Sequence, residues 1–391
     1  MKNRDGTIIS IGAGASQLPL IQAAQRLGRE VVAVDQDPEA PGFAWADLAI
    51  RKSTYDTGAV LAVLREIQAD YNFVGVVART TAAGALNTAV AVAQEFGLPG
   101  LTPDLVEIAT EKANLREFCQ AHDLPVPPGC RVDALVQGDS LPPFPVIVKP
   151  DMTLAGKTGI RLCRDRKNLA GFVAEAAQVS GNRLVEIAAF IPGLDATCLC
   201  WVHQGKAQVI TWWDELVAVD QNGRVLGLGV SLPAFLAETH ILAIAEALVA
   251  RLVGHFPAAT ALLLISCRFT KEGEPYFIEV HADLGGDTIA EVLWPAAQTS
   301  IDFFELAIKV AEGALEEAPS FSCRPTALYY GVNGLNLPVT ALRTTGFQDV
   351  LVQQGQVEEN LALLKDIIQA RNLRLQEWPG HLELLGIKER R

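Results

Sequence analysis

The sequence predicts an α/β protein: an N-terminal parallel-sheet domain, followed by a part in which strands and helices mix as α+β. Three observations predict it. The first hundred residues alternate short apolar strands with helical stretches. A strand then delivers a lysine, Lys149, into a glycine-bearing loop. From Phe190 onward the chain is rich in strands. Alternation of strand and helix implies parallel pairing through crossover helices.

In order, Thr7–Ile11 reads as a strand, Gly12–Ser16 as a glycine turn and Gln17–Leu27 as a helix closed by Gly28. Val31–Val34 is a strand that ends at Asp35. Val60–Gln68 is a helix, Phe73–Val77 a strand, and Ala82–Phe96 an alanine-rich helix closed by Gly97. Glu111–His122 reads as a helix, and Leu124-Pro125-Val126-Pro127-Pro128-Gly129 as a stiff connector near a domain boundary. A small α/β unit follows, centred on the Lys149 strand. Strands Ala196–His203, Ala207–Trp213, Leu262–Phe269 and Pro275–Val280 come next, with helices His240–Val253, Ile301–Glu312 and Val357–Ala370.

Composition narrows the function. The chain has 391 residues, half of them hydrophobic, enough for two or three domains. A net charge of −13 disfavours a general nucleic-acid binder, which needs a basic face. No apolar run is long enough to span a bilayer. The basic residues ahead of Thr7–Ile11 imitate a signal peptide, but that run has strand length and ends in glycine, so it reads as a first buried strand. Seven cysteines without a C-x-x-C pattern read as small buried hydrophobes in a reducing, cytoplasmic setting.

Four stretches carry candidate chemistry. In Phe144-Pro145-Val146-Ile147-Val148-Lys149-Pro150, an apolar strand presents a lysine at its end. Proline stops the strand there, because it cannot donate to a ladder. The loop Leu154-Ala155-Gly156-Lys157-Thr158-Gly159-Ile160 follows. An ammonium beside a glycine loop suits a polyphosphate, since glycines let backbone N–H groups come close. Gly156-Lys157-Thr158 imitates the tail of a P-loop, but the full motif needs glycine where Asp151 stands.

The second stretch is Gly12-Ala13-Gly14-Ala15-Ser16-Gln17, which sits between strand and helix where a dinucleotide fingerprint would, with Asp35 in the ribose position. Gln17 replaces the third glycine. The readings are an NAD-type site, an anion site, or a tight structural turn. In the third, Glu279 stands in the apolar strand Pro275–Val280, and a buried carboxylate needs a partner or a metal. Glu279, His281 and Asp283 would share a face if the strand continued, and could together hold Mg²⁺. The fourth stretch, Arg183–Glu186 and Phe190–Asp195, is an adenine slot at a domain turn, with Asp195 toward ribose hydroxyls. Trp212-Trp213-Asp214-Glu215 reads as core plus solvated acids, or as pocket lining.

Taken in this order, these pieces resemble the ATP-grasp superfamily, in its carboxylate–amine ligase branch. That branch is similar to biotin carboxylase, the purine-synthesis ligases and the carbamoyl-phosphate synthase large chain. The resemblance runs from about Ile8 to Gly313 and includes Glu111-Lys112-x-x-x-Arg116. It implies a Rossmann-like pre-grasp domain over 1–110, an ATP-grasp small subdomain over 111–190, a large subdomain over 191–318, and a C-terminal α/β extension over 319–391. It implies that Lys112 and Lys149 contact ATP phosphates, under a loop containing Gly156, Lys157 and Gly159. Glu186 to Phe190 would meet adenine, Asp195 the ribose, and Glu279 the Mg²⁺. His281 and Asp283 would stand at the acyl-phosphate end. The chemistry implied is ATP-dependent joining of a small carboxylate to an amine; dimers are common among such proteins.

Three positions depart from the family pattern. Ser266 stands where a second metal-binding glutamate is usual. His281 and Asp283 replace the usual Asn and Arg of Glu-x-Asn-x-Arg, and the last change reverses a charge. Either Asp283 takes over the missing metal role, or the protein binds nucleotide or metabolite without ligation. An NAD-dependent oxidoreductase, resting on Gly12–Gln17 alone, is a third expectation.

Overall fold

The computed structural model describes residues 6–133, 141–152, 156–234, 239–285, 288–332, 335, 342–343 and 350–371. Leu154 and Ala155 of the glycine loop, Gly286 and Asp287, and the basic C-terminal tail lie outside the described residues.

The first unit contains β1 (Thr7–Ile11), β2 (Glu30–Asp35), β3 (Leu48–Arg51) and β4 (Phe73–Val77), joined through α1 (Leu18–Arg26), α2 (Thr57–Ile67) and α3 (Ala83–Phe96). The strands form one parallel sheet in the order β3-β2-β1-β4. All five residues of β1 are buried, as expected of a parallel strand covered on both faces. Gly97 closes α3 in the left-handed conformation. β3 was not expected from the sequence, because Leu48–Arg51 is short and alternates buried with exposed positions.

Helices α4 (Pro103–Thr110) and α5 (Lys112–Ala121) lead into a second unit. It comprises β5 (Gly129–Val132), β6 (Val146–Pro150), β7 (Arg161–Cys163), α6 (Arg166–Val179) and β8 (Val185–Ala189). Its antiparallel sheet has the order β5-β8-β6-β7, so the Lys149 strand is interior. β6 alternates: Val146 and Val148 pack with Leu169 and Val173 of α6, while Ile147 packs with Phe190 and Val217 on the other face. Pro150 ends the strand, as expected.

The third unit contains β9 (Leu194–His203), β10 (Lys206–Val219), β11 (Val225–Leu232), α7 (Thr239–Val253), β12 (Thr260–Phe269), β13 (Pro275–His281), α8 (Trp294–Ala296) and α9 (Phe303–Ala311). β14 (Thr326–Tyr330), β15 (Leu342–Arg343), β16 (Val350–Gln354) and α10 (Val357–Ala370) complete the described chain. The strands form one eight-stranded antiparallel sheet, β13-β12-β9-β10-β11-β14-β16-β15, so β14 to β16 extend the sheet begun by β9. β11 was not foreseen because Gly227 and Gly229 interrupt its apolar run. Gly229 is required by close approach: a Cβ there would lie 2.2 Å from the Leu328 carbonyl oxygen of β14.

One apolar cluster joins Ile8 and Ala24 of the first unit to Leu199, Trp213 and Phe303 of the third. Around it, Arg26 pairs with Asp302 and Glu305, and Arg29 with Glu312. The parallel sheet is thereby held against the large antiparallel one. All seven cysteines are free, and Cys198 and Cys200 are fully buried on one face of β9. Among the described residues, no helix is long and apolar enough to cross a membrane.

Candidate active site

Three elements converge on one place. β6 presents Lys149 on the face that turns away from α6. In the β6–β8 ladder, Lys149 lies directly opposite Glu186. Above them runs α5, whose Lys112 and Arg116 are four residues apart and therefore on one helix face. Arg116 Nε donates to Glu186 Oε1 at 2.6 Å, with both side chains almost fully buried. Lys112 Nζ reaches across to Glu279 Oε1 of β13, 2.7 Å away. Helix, small sheet and large sheet thus meet in a line of alternating charge.

The electrostatics follow from that line. Burial, then the neighbouring Lys112 ammonium, push the Lys149 pKa down, against the pull of Glu186, Glu279 and Asp151. Burial alone would raise Glu279. Lys112, His281 and Lys149 outweigh it and hold this carboxyl well below the usual carboxylate range. Burial would lower His281, but Glu279 and Asp283 raise it, which favours the imidazolium. His281 Nε2 is 3.4 Å from Glu279 Oε2, and Nδ1 is 3.9 Å from Asp283 Oδ1. The His281 imidazole thus lies between two carboxylates, one of which, Asp283, occupies the position that carries an arginine in the family pattern.

Ser266 lies opposite Glu279 in the ladder, and its Oγ is 2.8 Å from Thr197 Oγ1. Thr197 in turn donates to Glu215 Oε1 at 3.3 Å. Glu215 also faces Lys157 of the glycine loop, with Nζ–Oε2 of 3.8 Å. Gly156 and Gly159 both have positive φ, and a Cβ on Gly159 would come within 2.6 Å of Val179. The loop's exit is fastened to the β10–β11 turn: Leu162 N donates to Gly223 O, and Val225 N to Ile160 O.

Several expected site residues have protein partners, and some readings need correction. Glu186, expected near adenine, is 1% exposed, and its Oε1 accepts from Arg116 Nε. Asp195, expected to meet ribose, is gripped by both arms of Arg268, at 2.6 Å from Nε and 2.5 Å from Nη2. The two residues sit directly opposite each other on β9 and β12. Asp195→Asn should therefore weaken the fold by about 1–3 kcal/mol, read as a lower urea midpoint, because it leaves a buried guanidinium half-paired. Glu279, His281 and Asp283 do not form a three-ligand metal cage. Asp283 accepts from Gly285 N at 3.1 Å, and among the described residues no group of three such side chains is arranged to hold a metal ion. Asp214, read as solvated, is 1% exposed and accepts from Ser231 Oγ.

The Gly12–Gln17 turn is braced from inside. Asp35 Oδ2 accepts from Ala13 N at 2.9 Å, and Gln17 Nε2 donates to the Arg79 carbonyl. A Cβ on Gly12 would lie 2.9 Å from Gln17 Cδ, so the glutamine side chain packs into the turn. That geometry favours the structural reading over a dinucleotide cradle. The sequence reading left Asp151 without a role and Glu215 open between a solvated acid and pocket lining; the structure sets Glu215 beside Lys157 and Thr197. For Asp151 a signal was present: an acid directly after an apolar strand and Lys-Pro.

No family model matches the chain. Over 212 residues, 50% of its length, it is 26% identical to the carbamoyl phosphate synthase large chain of Pyrococcus furiosus, and the match spans 20% of that relative. Among solved structures, it superposes on an L-amino acid ligase from Bacillus licheniformis with a TM-score of 0.71 at 18% identity, covering 96% of this chain and 99% of that one. An N5-carboxyaminoimidazole synthetase from Staphylococcus aureus, complexed with ADP, gives 0.67 at 13% identity, covering 93% and 97%. With the parallel sheet, the small antiparallel sheet and the large one arranged as in these proteins over nearly the whole of each chain, this chain is an ATP-grasp-fold protein.

Proposed function

We propose that the chain is a Mg-ATP-dependent ligase that joins a small carboxylate to an amine, releasing ADP and phosphate. The observation that carries this reading is the convergence of Lys112, Lys149 and Glu279 from α5, β6 and β13, with Lys112 Nζ 2.7 Å from Glu279. Two ammonium groups and one carboxylate held this close suit a nucleotide polyphosphate and its metal.

A carboxylate oxygen of the substrate attacks the γ-phosphorus of ATP, the bond to the β–γ bridging oxygen breaks, and ADP leaves with that electron pair. The amine nitrogen then attacks the acyl carbon, the carbon–oxygen bond to phosphate breaks, and the nitrogen loses a proton. Lys112 and Lys149 place positive charge beside the phosphate oxygens, and the backbone of the Gly156–Gly159 loop covers them. Mg²⁺, when bound, offsets the charge of the transferring phosphoryl group. Glu279 would hold it. The donor set fits a magnesium bound by one carboxylate with phosphate and water, the usual mode for this ion. His281, drawn toward its protonated form by Glu279 and Asp283, would stand at the acyl end with Asp283 facing it.

The L-amino acid ligase likeness makes L-amino acids the first substrates to test as both carboxylate and amine. Purified protein with Mg-ATP should release ADP only when both are present, read with a coupled ADP assay across amino-acid pairs. Absence of ADP with every pair would sink the ligase. The Ser266 hydroxyl, bonded to Thr197 where a second carboxylate is usual, favours a second reading: a nucleotide-binding protein without ligation. Binding of ATP that is indifferent to Mg²⁺, without turnover, is the mark of that case.

A further inference from the structure

We infer that Asp151 is the positioning residue that sets the spacing of Lys112 and Lys149; the inference rests on the nucleotide reading of that pair. Asp151 follows Lys149 and Pro150 at the end of β6 and is fully buried. The first turn of α5 begins at Lys112, and its own N-cap residue, Glu111, makes no side-chain cap. Asp151 supplies it from 38 positions away: Oδ1 accepts from Ala113 N at 2.8 Å. The Asp151 carbonyl accepts from Lys112 N at 3.1 Å. Two orphan donors of a helix N-terminus are thus met by the residue two places after Lys149.

The bracing around Asp151 is itself braced. Oδ2 accepts from Asn182 Nδ2 at 2.8 Å, and Arg131 stands 3.4 Å away while also pairing with Glu111 at 3.3 Å. Asp151 N donates to Leu184 O, beside β8. One buried carboxylate therefore ties the end of the Lys149 strand to the start of the Lys112 helix. An ångström of misplacement in a charge clamp is enough to cost orders of magnitude in its action.

The test uses the full chain, with ATP and Mg²⁺ as the probe. Asp151→Ala should weaken ATP binding about ten-fold or more, whereas Asp151→Asn, which keeps the acceptor toward Ala113 N but turns an amide donor toward Asn182 Nδ2 and Arg131, should lose less than Asp151→Ala. In the Asp151→Ala background the added effect of Lys112→Ala should shrink to about two-fold, because coupled residues do not add. A purely structural role would leave that effect unchanged. Amide exchange at Lys112 and Ala113, read without nucleotide, should speed up about ten-fold or more in Asp151→Ala. That arm stands even if the wild type binds no ATP, a result that would sink the nucleotide reading alone. If Asp151→Ala fails to fold, Asp151→Ser, whose hydroxyl stops short of Ala113 N, carries the same expectations. Unchanged exchange, or ATP affinity within two-fold of wild type in the folded Ala or Ser variant, overturns the assignment.

Discussion

Glu279→Gln is expected to lower ADP formation by about a hundred-fold or more, the scale of removing one charge-stabilising group from a preorganised site. The same variant should lose the gain in ATP affinity that Mg²⁺ gives the wild type, because the only carboxylate in the ladder position facing Ser266 is gone. In the free protein Glu279 also sits between Lys112 and His281, with Lys149 nearby. Removing its charge takes a shared counter-ion from Lys112 and Lys149 and the nearer carboxylate from His281. A loss of about 1–3 kcal/mol in urea unfolding is expected on that account.

The pH dependence has a definite sign. The Glu279 carboxyl is held well below its ordinary value in the folded chain. Its stabilising contribution is therefore complete above the unfolded carboxyl's pKa, about 4.3. It is lost as pH falls through the lower, folded value. Urea midpoints measured from pH 7 to pH 3 should drop more steeply for the wild type than for Glu279→Gln. Parallel curves would mean that Lys112 and His281 do not hold the carboxyl as described.

The second large effect is on stability. Glu186→Ala should cost about 3–5 kcal/mol, the usual scale for stranding one half of a buried ion pair. The stranded group is Arg116, whose side chain is 8% exposed. Lys149, opposite Glu186 in the ladder, loses a counter-charge as well. Glu186→Gln should cost less, about 1–2 kcal/mol, because the amide oxygen still accepts from Arg116. Burial is the main influence on this carboxyl and pushes its pKa up, so part of the charge's worth is already offset in the wild type. Urea unfolding of the three proteins at pH 7 checks the order. If Glu186→Ala unfolds within about half a kcal/mol of wild type, the Arg116 pair is not structural.

Much of the fold was legible because its signals are local. β1 and β4 stand where the apolar runs end in glycine or begin after polar residues, and α10 spans the expected Val357–Ala370. Lys149 and Glu279 were legible for the same reason: each is a charge at the end of an apolar strand. What the sequence hid is pairing at long range. Arg268 reaches Asp195 over 73 positions, Arg116 reaches Glu186 over 70, and Asp151 reaches Ala113 over 38. Each took a residue expected at the ligand, or left unassigned, and gave it a protein partner. Asp214 was misread for a related reason: its strand continues past the tryptophans, and Ser231 of β11 meets it there. β11 itself was masked by glycines that exist to let β14 approach.

The proposed grip of Lys112, Lys149 and Glu279 on Mg-ATP is tested most directly by calorimetric titration of ATP into wild type and Lys149→Met, each with and without Mg²⁺. The wild type should bind more tightly with Mg²⁺ present, and Lys149→Met should bind about thirty-fold or more weakly, the worth of a charged hydrogen bond of roughly 2 kcal/mol. Equal affinities for the two proteins, or a wild-type isotherm that does not change with Mg²⁺, would contradict it.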